Sequence, residues 1–315
     1  LLNGMKDRVL LSTEIIETGK LMKFGSFEGR MEDISCPLCK GNEQPRVIFR
    51  SSEGVSFCKC RNCNLLYASP RFTEESMLRI YENEAFASLS NYEKWSYDEW
   101  KCNRPRSHNI EQQKLLLVKK HLSEGNRILD VGCGVGLFVF EANKSGFLCE
   151  GIEPSLRLSE AGRKALSVPV HNLQVEEFNS PYRFAGIIIW DVLEHVYDPV
   201  RMVKKCASLL DDKGFLFAQV PNHRGISNLF KTLACSLNLR KNFKHFGFPW
   251  HVYSFDRKSL SVLMNKAGLK PIHFESWSHL LKDKKNGLIS QIVINVVKQR
   301  CLSDYVVCIA QKTDG

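Results

Sequence analysis

The sequence has no uninterrupted apolar run of the roughly 18 residues that a bilayer-crossing helix needs, so no membrane-spanning segment is expected. Its first twenty residues, LLNGMKDRVLLSTEIIETGK, carry charge throughout and lack the apolar centre and small-residue cleavage site of an export signal; Met5 is the expected natural start. A soluble, cytoplasmic protein is the expectation. Internal repeats and low-complexity tracts are missing too, which argues against solenoid and fibrous architectures. Between Asp212 and Asp256 there is no acidic residue at all, while Lys213, Arg224, Lys231, Arg240, Lys241 and Lys244 occur there with His223, His245 and His251. A segment of one sign favours an anionic ligand through its local potential. Over the whole chain 44 Lys+Arg against 34 Asp+Glu give +10, compatible with nucleic acid, phosphorylated metabolites or a membrane surface and selecting none of them.

What is present is enough for about two folded units: 315 residues, 43% of them hydrophobic. Twelve cysteines in a chain this long, without an export signal, argue against a secreted disulfide framework. Five of them lie between Cys36 and Cys63, and the scattered ones, such as Cys149, Cys206, Cys235 and Cys308, read as small buried hydrophobes. Cys36-x2-Cys39 and Cys60-x2-Cys63, 20 residues apart, have the spacing of a four-thiolate zinc site. Each pair closes one face of a tetrahedral ion, and a full thiolate shell leaves no open position, so the expected zinc is structural. Cys58 is the alternative to Cys60. A unit of about 40 residues has too little core to fold unaided, and zinc binding would supply the difference.

Residues 1–30 receive no function, 31–70 read as the zinc-binding module and 71–125 as a helical connector. From residue 126 to 315 strand and helix patterns alternate, with an insert at 222–254. That alternation predicts an α/β fold, an open sheet of parallel strands with helices on both faces. Its first strand runs into a glycine-rich turn, ILDVGCGVG, in which Gly132, Cys133, Gly134 and Gly136 let a ligand approach the main chain. Dinucleotide enzymes use such turns as well. Asp130, two residues before the first glycine, would repel a pyrophosphate but suits a cationic amino group. Glu153 ends the second strand, 17 residues past Gly136, where a carboxylate can accept both hydroxyls of a ribose.

The ordered set ILDVGCGVG, GIEPS, WDVLEHVYDP and FAQVPN resembles the class I S-adenosylmethionine-dependent methyltransferases, with their Rossmann-like sheet, over about residues 105–315. The resemblance implies that Asp130, Gly132 and Gly134 line the methionine half of the cofactor, that Glu153 holds the ribose and that Asp191 lies beside the cofactor. It puts the adenine-side acid in QVEEF, at Glu176 or Glu177. The arrangement CPLC…CRNCNLLYASPR ahead of that fold also resembles the zinc module of bacterial sugar C-methyltransferases and their relatives in polysaccharide and secondary-metabolite clusters.

A sulfonium methyl is already electrophilic, so the protein must orient the acceptor and, for an alcohol or acidic C–H, remove a proton. Asp191 and His195, at i and i+4 in a predicted helical turn, would share one face, making His195 the first candidate base; packing or hydrogen bonding below the cofactor is its plainer reading. His251 and Tyr253 in FPWHVYSF are the second pair; an aromatic hinge is their plainer reading. ISNLFKTLACSLNLR has a helical apolar face, Ile226, Leu229, Phe230, Leu233 and Leu237, expected to pack as a lid on its own domain rather than on a membrane. The expected substrate is a small anionic acceptor such as a nucleotide sugar. An rRNA or tRNA methyltransferase is the rival enzyme, disfavoured because the zinc module lacks a dense basic run and the DVLEHV segment lacks an Asn-Pro-Pro-aromatic turn. An inert zinc-containing adaptor is the rival outside enzymes.

Overall fold

The computed structural model describes residues 21–24, 27–40, 43–51, 53–82, 104–236, 246–277, 296–297 and 299–313. Among these, the Rossmann-like sheet and its helices account for most of the second half of the chain. Seven strands run in the order β13-β14-β11-β10-β7-β8-β9. They are β7 (Arg127–Val131), β8 (Leu148–Ile152), β9 (Val170–His171), β10 (Phe184–Trp190), β11 (Leu210–Pro221), β13 (Leu269–Trp277) and β14 (Tyr305–Lys312). The five from β9 to β11 are parallel neighbours, whereas β14 is antiparallel to both β11 and β13. The sheet is therefore mixed. β10, FAGIIIW, is a continuous apolar run because both of its faces are covered.

The crossover helices are α3 (Leu137–Lys144), α4 (Leu156–Leu166) and α5 (Pro199–Leu209), with α2 (Arg104–Lys119) preceding β7. Side-chain caps start two of them: Ser155 accepts from the Leu158 amide and Asp198 from that of Arg201, where Pro199 also favours a helix start. α7 (Arg257–Lys266) opens with a reciprocal capping pair between Asp256 and Ser259. α2 packs on α3 and buries Leu115, Leu117 and Val118 against Ile128 and Phe138. It is thus a layer of the α/β sandwich.

The first half folds around the cysteines. β3 (Arg46–Arg50), β4 (Ser56–Lys59) and β5 (Leu66–Ser69) form an antiparallel sheet, to which β12 (Tyr253–Ser254), from the end of the insert, adds a fourth strand beside β5. A second small sheet joins β1 (Leu21–Phe24), β2 (Phe27–Glu32) and β6 (Arg71–Phe72), and α1 (Glu74–Glu82) follows with Thr73 accepting from the Ser76 amide. Cys36, Cys60, Cys63, Leu65 and Tyr67 belong to one continuous core with Val252, Tyr253, Phe255 and Leu260, so cysteine unit and α/β sheet share an interior.

Two local expectations are corrected. The segment after β10 is a single turn, closed by the His195 amide on the Val192 carbonyl, because Asp191 takes a left-handed φ of 56° and leaves the strand at an angle no helix continues. The i, i+4 relation of Asp191 and His195 does not apply. On α6 (Ile226–Ser236), the face expected to pack inward is exposed at Ile226, Leu229, Phe230 and Leu233; Leu237 lies outside the described residues. The helix is held instead by its other side, where Cys235 is buried. No helix among the described residues is long and apolar enough to cross a membrane.

Candidate functional site

β7 and β10 are adjacent, yet their connections leave in opposite directions, β7 toward β8 and β10 toward β11. That reversal opens a crevice beyond the carboxyl ends of the two strands, the usual ligand position in such sheets. The glycine turn forms its floor. Gly132 has φ +74° and touches Val192 so closely that a Cβ would lie 2.5 Å from Cγ2. Gly134, at φ +57°, has nothing within 4 Å of where a Cβ would be. Open space over a backbone with left-handed geometry is what a ligand lying on the main chain requires. The Gly134 amide donates to Glu153 Oε2 at 2.9 Å, and the Ser155 amide donates to Glu153 Oε1 at 2.9 Å. Glu153 is thereby fixed, each oxygen keeping a lone pair for a ligand hydroxyl.

Cys133 turns its thiol inward against Gly151, so only its backbone belongs to the turn, and Gly136 caps α3 at φ 76°. Asp130 is buried, and burial pushes its carboxyl up to about 8, opposed by the Lys114 ammonium and reinforced by Glu111 and Glu153. A buried acid of this kind gains most from a cationic ligand. Asp191 is clamped at both oxygens by Gln219 Nε2, at 3.0 and 2.8 Å, and Gln219 Oε1 in turn accepts from Trp277 Nε1. Lys114, paired with Glu111 at 3.0 Å and 5.8 Å from the Trp190 ring centroid, adds an enclosed cation below these acids. Lys114 and Glu111 escape sequence reasoning because neither lies in a motif; Gln219 lies in FAQVPN, but nothing in that motif marks it as the partner of Asp191.

His195 donates through Nδ1 to the Trp250 carbonyl, 2.9 Å away, and His251 through Nδ1 to the Phe246 carbonyl, 3.0 Å away. Their rings meet edge to face at 4.8 Å. Burial pulls His195 down to about 3, with the His251 ring adding to the fall, so the ring is neutral at physiological pH. The structure puts Tyr253 elsewhere: its hydroxyl accepts from Arg71 Nη1 at 2.6 Å and donates to the Tyr197 carbonyl, at the junction with the cysteine unit. A phenol engaged twice and pushed up to about 12 by burial is poorly placed to move a substrate proton. Glu176 lies close enough to Cys206 on α5 to act on its thiol, and Glu177 Oε2 accepts from the Gln174 amide.

The four sulfurs of Cys36, Cys39, Cys60 and Cys63 lie within 4.8 Å of one another, and those of Cys36 and Cys63 are 3.5 Å apart. Zinc–sulfur bonds of about 2.3 Å in a tetrahedron put sulfurs about 3.8 Å apart, so the set fits that ion. Both knuckles close alike: the Lys40 amide bonds the Cys36 carbonyl at 2.9 Å and the Asn64 amide the Cys60 carbonyl at 3.0 Å, each with a left-handed residue, Lys40 or Asn64. Cys58 is not in the cluster; it sits on β4 opposite Tyr67.

Residues 102–273, more than half of the chain, match the family model described as a methyltransferase domain, and the chain belongs to that family. A ubiquinone biosynthesis O-methyltransferase of Bordetella bronchiseptica is 31% identical over 161 residues, 47% of this chain and 63% of that protein. The Coxiella burnetii enzyme of the same name is 32% identical over 122 residues, 36% of this chain and 52% of that one. The chain thus spans about three fifths or less of these relatives. Among solved structures, a possible histamine N-methyltransferase of Thermotoga maritima has 21% identity and a TM-score of 0.49, covering 75% of this chain and all of the other. Magnesium protoporphyrin IX methyltransferase of Synechocystis, with 14% identity and the same TM-score, covers 76% of this chain and all of its own.

Proposed function

We propose that the protein transfers the methyl group of S-adenosylmethionine to a small anionic acceptor, with a nucleotide sugar or a related polysaccharide or metabolite precursor as the leading class. The observation that carries this reading is the joined Gly134–Glu153 corner at the sheet's reversal point, in a chain of the methyltransferase-domain family. Bound there, the cofactor supplies an electrophilic sulfonium methyl. Glu153 would hold the ribose hydroxyls, the Gly132–Gly136 backbone would carry the methionine half, and Asp130 and Asp191 would face its positive charge. With the cofactor supplying that methyl, the protein's remaining tasks would be to hold the acceptor in line with it and to let a hydroxyl acceptor lose its proton to water.

The relatives' names favour oxygen as the acceptor atom, and a phenolic acceptor is the second reading, supported by the apolar surface of α6. Cys36, Cys39, Cys60 and Cys63 would hold a structural zinc, and a reducing, cytoplasmic setting keeps such thiolates available. Incubating the protein with labelled S-adenosylmethionine and a nucleotide-sugar panel, a phenol panel and total RNA tests the assignment. Label in the nucleotide sugars is the expected result. Label confined to RNA would replace the reading, and no cofactor binding in calorimetry would replace it with the adaptor.

A further inference from the structure

Three chemistry-bearing side chains just past Asp191 are left over by this account. Glu194, His195 and His251 each present one ligand atom, and those atoms lie within 4.8 Å of one another. Glu194 is buried to 1% exposure, and its Oε2 has no hydrogen-bond partner. A buried carboxylate oxygen without a partner is costly, and an ion that completes it is one of the few ways to explain it. The two histidines are each anchored through Nδ1 to a backbone carbonyl, which leaves Nε2 free and fixes the ring orientation. This is the outer-shell arrangement that metal-binding imidazoles have in proteins. The two chain segments are also tied together: the Glu194 carbonyl accepts from the Val252 amide at 2.9 Å and the Tyr253 amide at 3.3 Å. The ligands come from a turn and an insert that meet only in the folded chain.

We propose that Glu194, His195 and His251 form a binding site for one divalent transition-metal cation beside the crevice, whose open positions take a hydroxyl of the acceptor. Two imidazoles and one carboxylate suit zinc, iron, cobalt or nickel better than magnesium or calcium, and three protein ligands leave room for substrate. The second half of the inference rests on the methyltransferase reading; the first half does not. Coordination lowers the acidity threshold of the hydroxyl, which loses its proton to water. Its oxygen then bonds the methyl carbon as the carbon–sulfur bond breaks, the pair staying on sulfur. His195 and His251 act as ligands in this scheme and carry no proton.

The test uses the whole chain with its thiolate cluster first filled with zinc, so that added Co2+ reports other sites alone. Calorimetry and visible absorption should then detect one Co2+ per chain, in the weak bands of nitrogen and oxygen ligation. His251→Gln and Glu194→Gln should each weaken that binding at least tenfold, while His251→Asp, which keeps a ligand, should retain most of it. Unchanged S-adenosylmethionine affinity in the same variants establishes that they are folded. Absence of a Co2+ site in the wild type, or equal affinity in all three variants, overturns the proposal. If the chain takes Co2+ but binds no S-adenosylmethionine, the site stands and its role toward an acceptor falls with the methyltransferase reading. Methyl transfer unaffected by a chelator that removes the Co2+ but leaves the zinc would refute the acceptor role alone.

Discussion

The Gly134 amide and the Glu153 carboxylate are bonded at 2.9 Å across 19 residues of sequence, joining the turn after β7 to the end of β8. Both ends of this bond belong to the surface that would receive the cofactor. Replacing Glu153 with Ala removes the proposed ribose partner and also frees the turn. S-Adenosylmethionine affinity should fall about ten- to hundredfold, the ~1.5–3 kcal/mol typical of hydrogen bonds to a charged group. Calorimetry on the variant measures it, and unchanged affinity would remove Glu153 from the site.

Asp130 gives the site a pH dependence of definite sign. Burial lifts its carboxyl from 3.8 to about 8 in the cofactor-free protein, while the unfolded chain keeps the ordinary value. Between these values the folded state binds more protons, so this group lowers stability as pH rises through that window. A sulfonium nearby favours the carboxylate, so cofactor binding expels a proton below about pH 8. Affinity should therefore climb from pH 6 to about 8 and then level off, and Asp130→Asn should flatten the curve. Calorimetry in buffers of different ionisation heat counts the proton directly.

Gly132 illustrates how much of the site is local. ILDVGCGVG announces its strand and turn because an apolar run followed by closely spaced glycines has few other physical uses, and the two C-x2-C pairs carry their own geometry in their spacing. The groups that meet only in three dimensions were not readable: Lys114 and Glu111 on α2, the Gln219 clamp on Asp191, and the Glu194 neighbourhood of His251. Alternation of strands and helices likewise could not disclose that β14 inserts antiparallel between β11 and β13. Asp191 and His195 are not i, i+4 neighbours on a helix because one left-handed residue ends the strand in a turn.

Gly132→Ala should be strongly destabilising for the same local reasons. The new methyl meets Val192 at 2.5 Å on a backbone with φ +74°, combining overpacking with a conformation L-residues rarely adopt. A loss of about 2 kcal/mol or more is expected in denaturant unfolding. Gly134→Ala, with open space around it, should cost less in stability and more in cofactor affinity.

Arg71 joins the two halves of the molecule: it pairs with Glu32 at 2.8 Å, donates to Tyr253 and stacks 4.1 Å from the Tyr197 ring centroid. Arg71→Met leaves a buried carboxylate alone and should cost about 3–5 kcal/mol. Adding Glu32→Leu should return much of that loss, since removing both charges spares their desolvation. Unfolding midpoints of the single and double variants decide it, and an additive double variant would refute the pairing as the cause.

Loss of the cysteine cluster should reach the crevice through two identified links. β5 pairs with β12 at Tyr67–Tyr253 and Leu66–Ser254, and Asn64 at the second knuckle bonds the helix-capping Asp256 at 3.3 Å. Cys63, fully buried, is the sulfur whose removal breaks the set most completely. Cys63→Ala, or chelation of the zinc proposed for these thiolates, should melt β3–β5 and free β12, the outcome expected of a small sheet that folds around a metal. Limited proteolysis should then cut within residues 43–69, and methyl transfer should fall although Glu153 is untouched and the cofactor still binds. If cleavage appears while transfer is normal, the cluster is a separate support; if neither changes and full metal content persists, other ligands hold the ion.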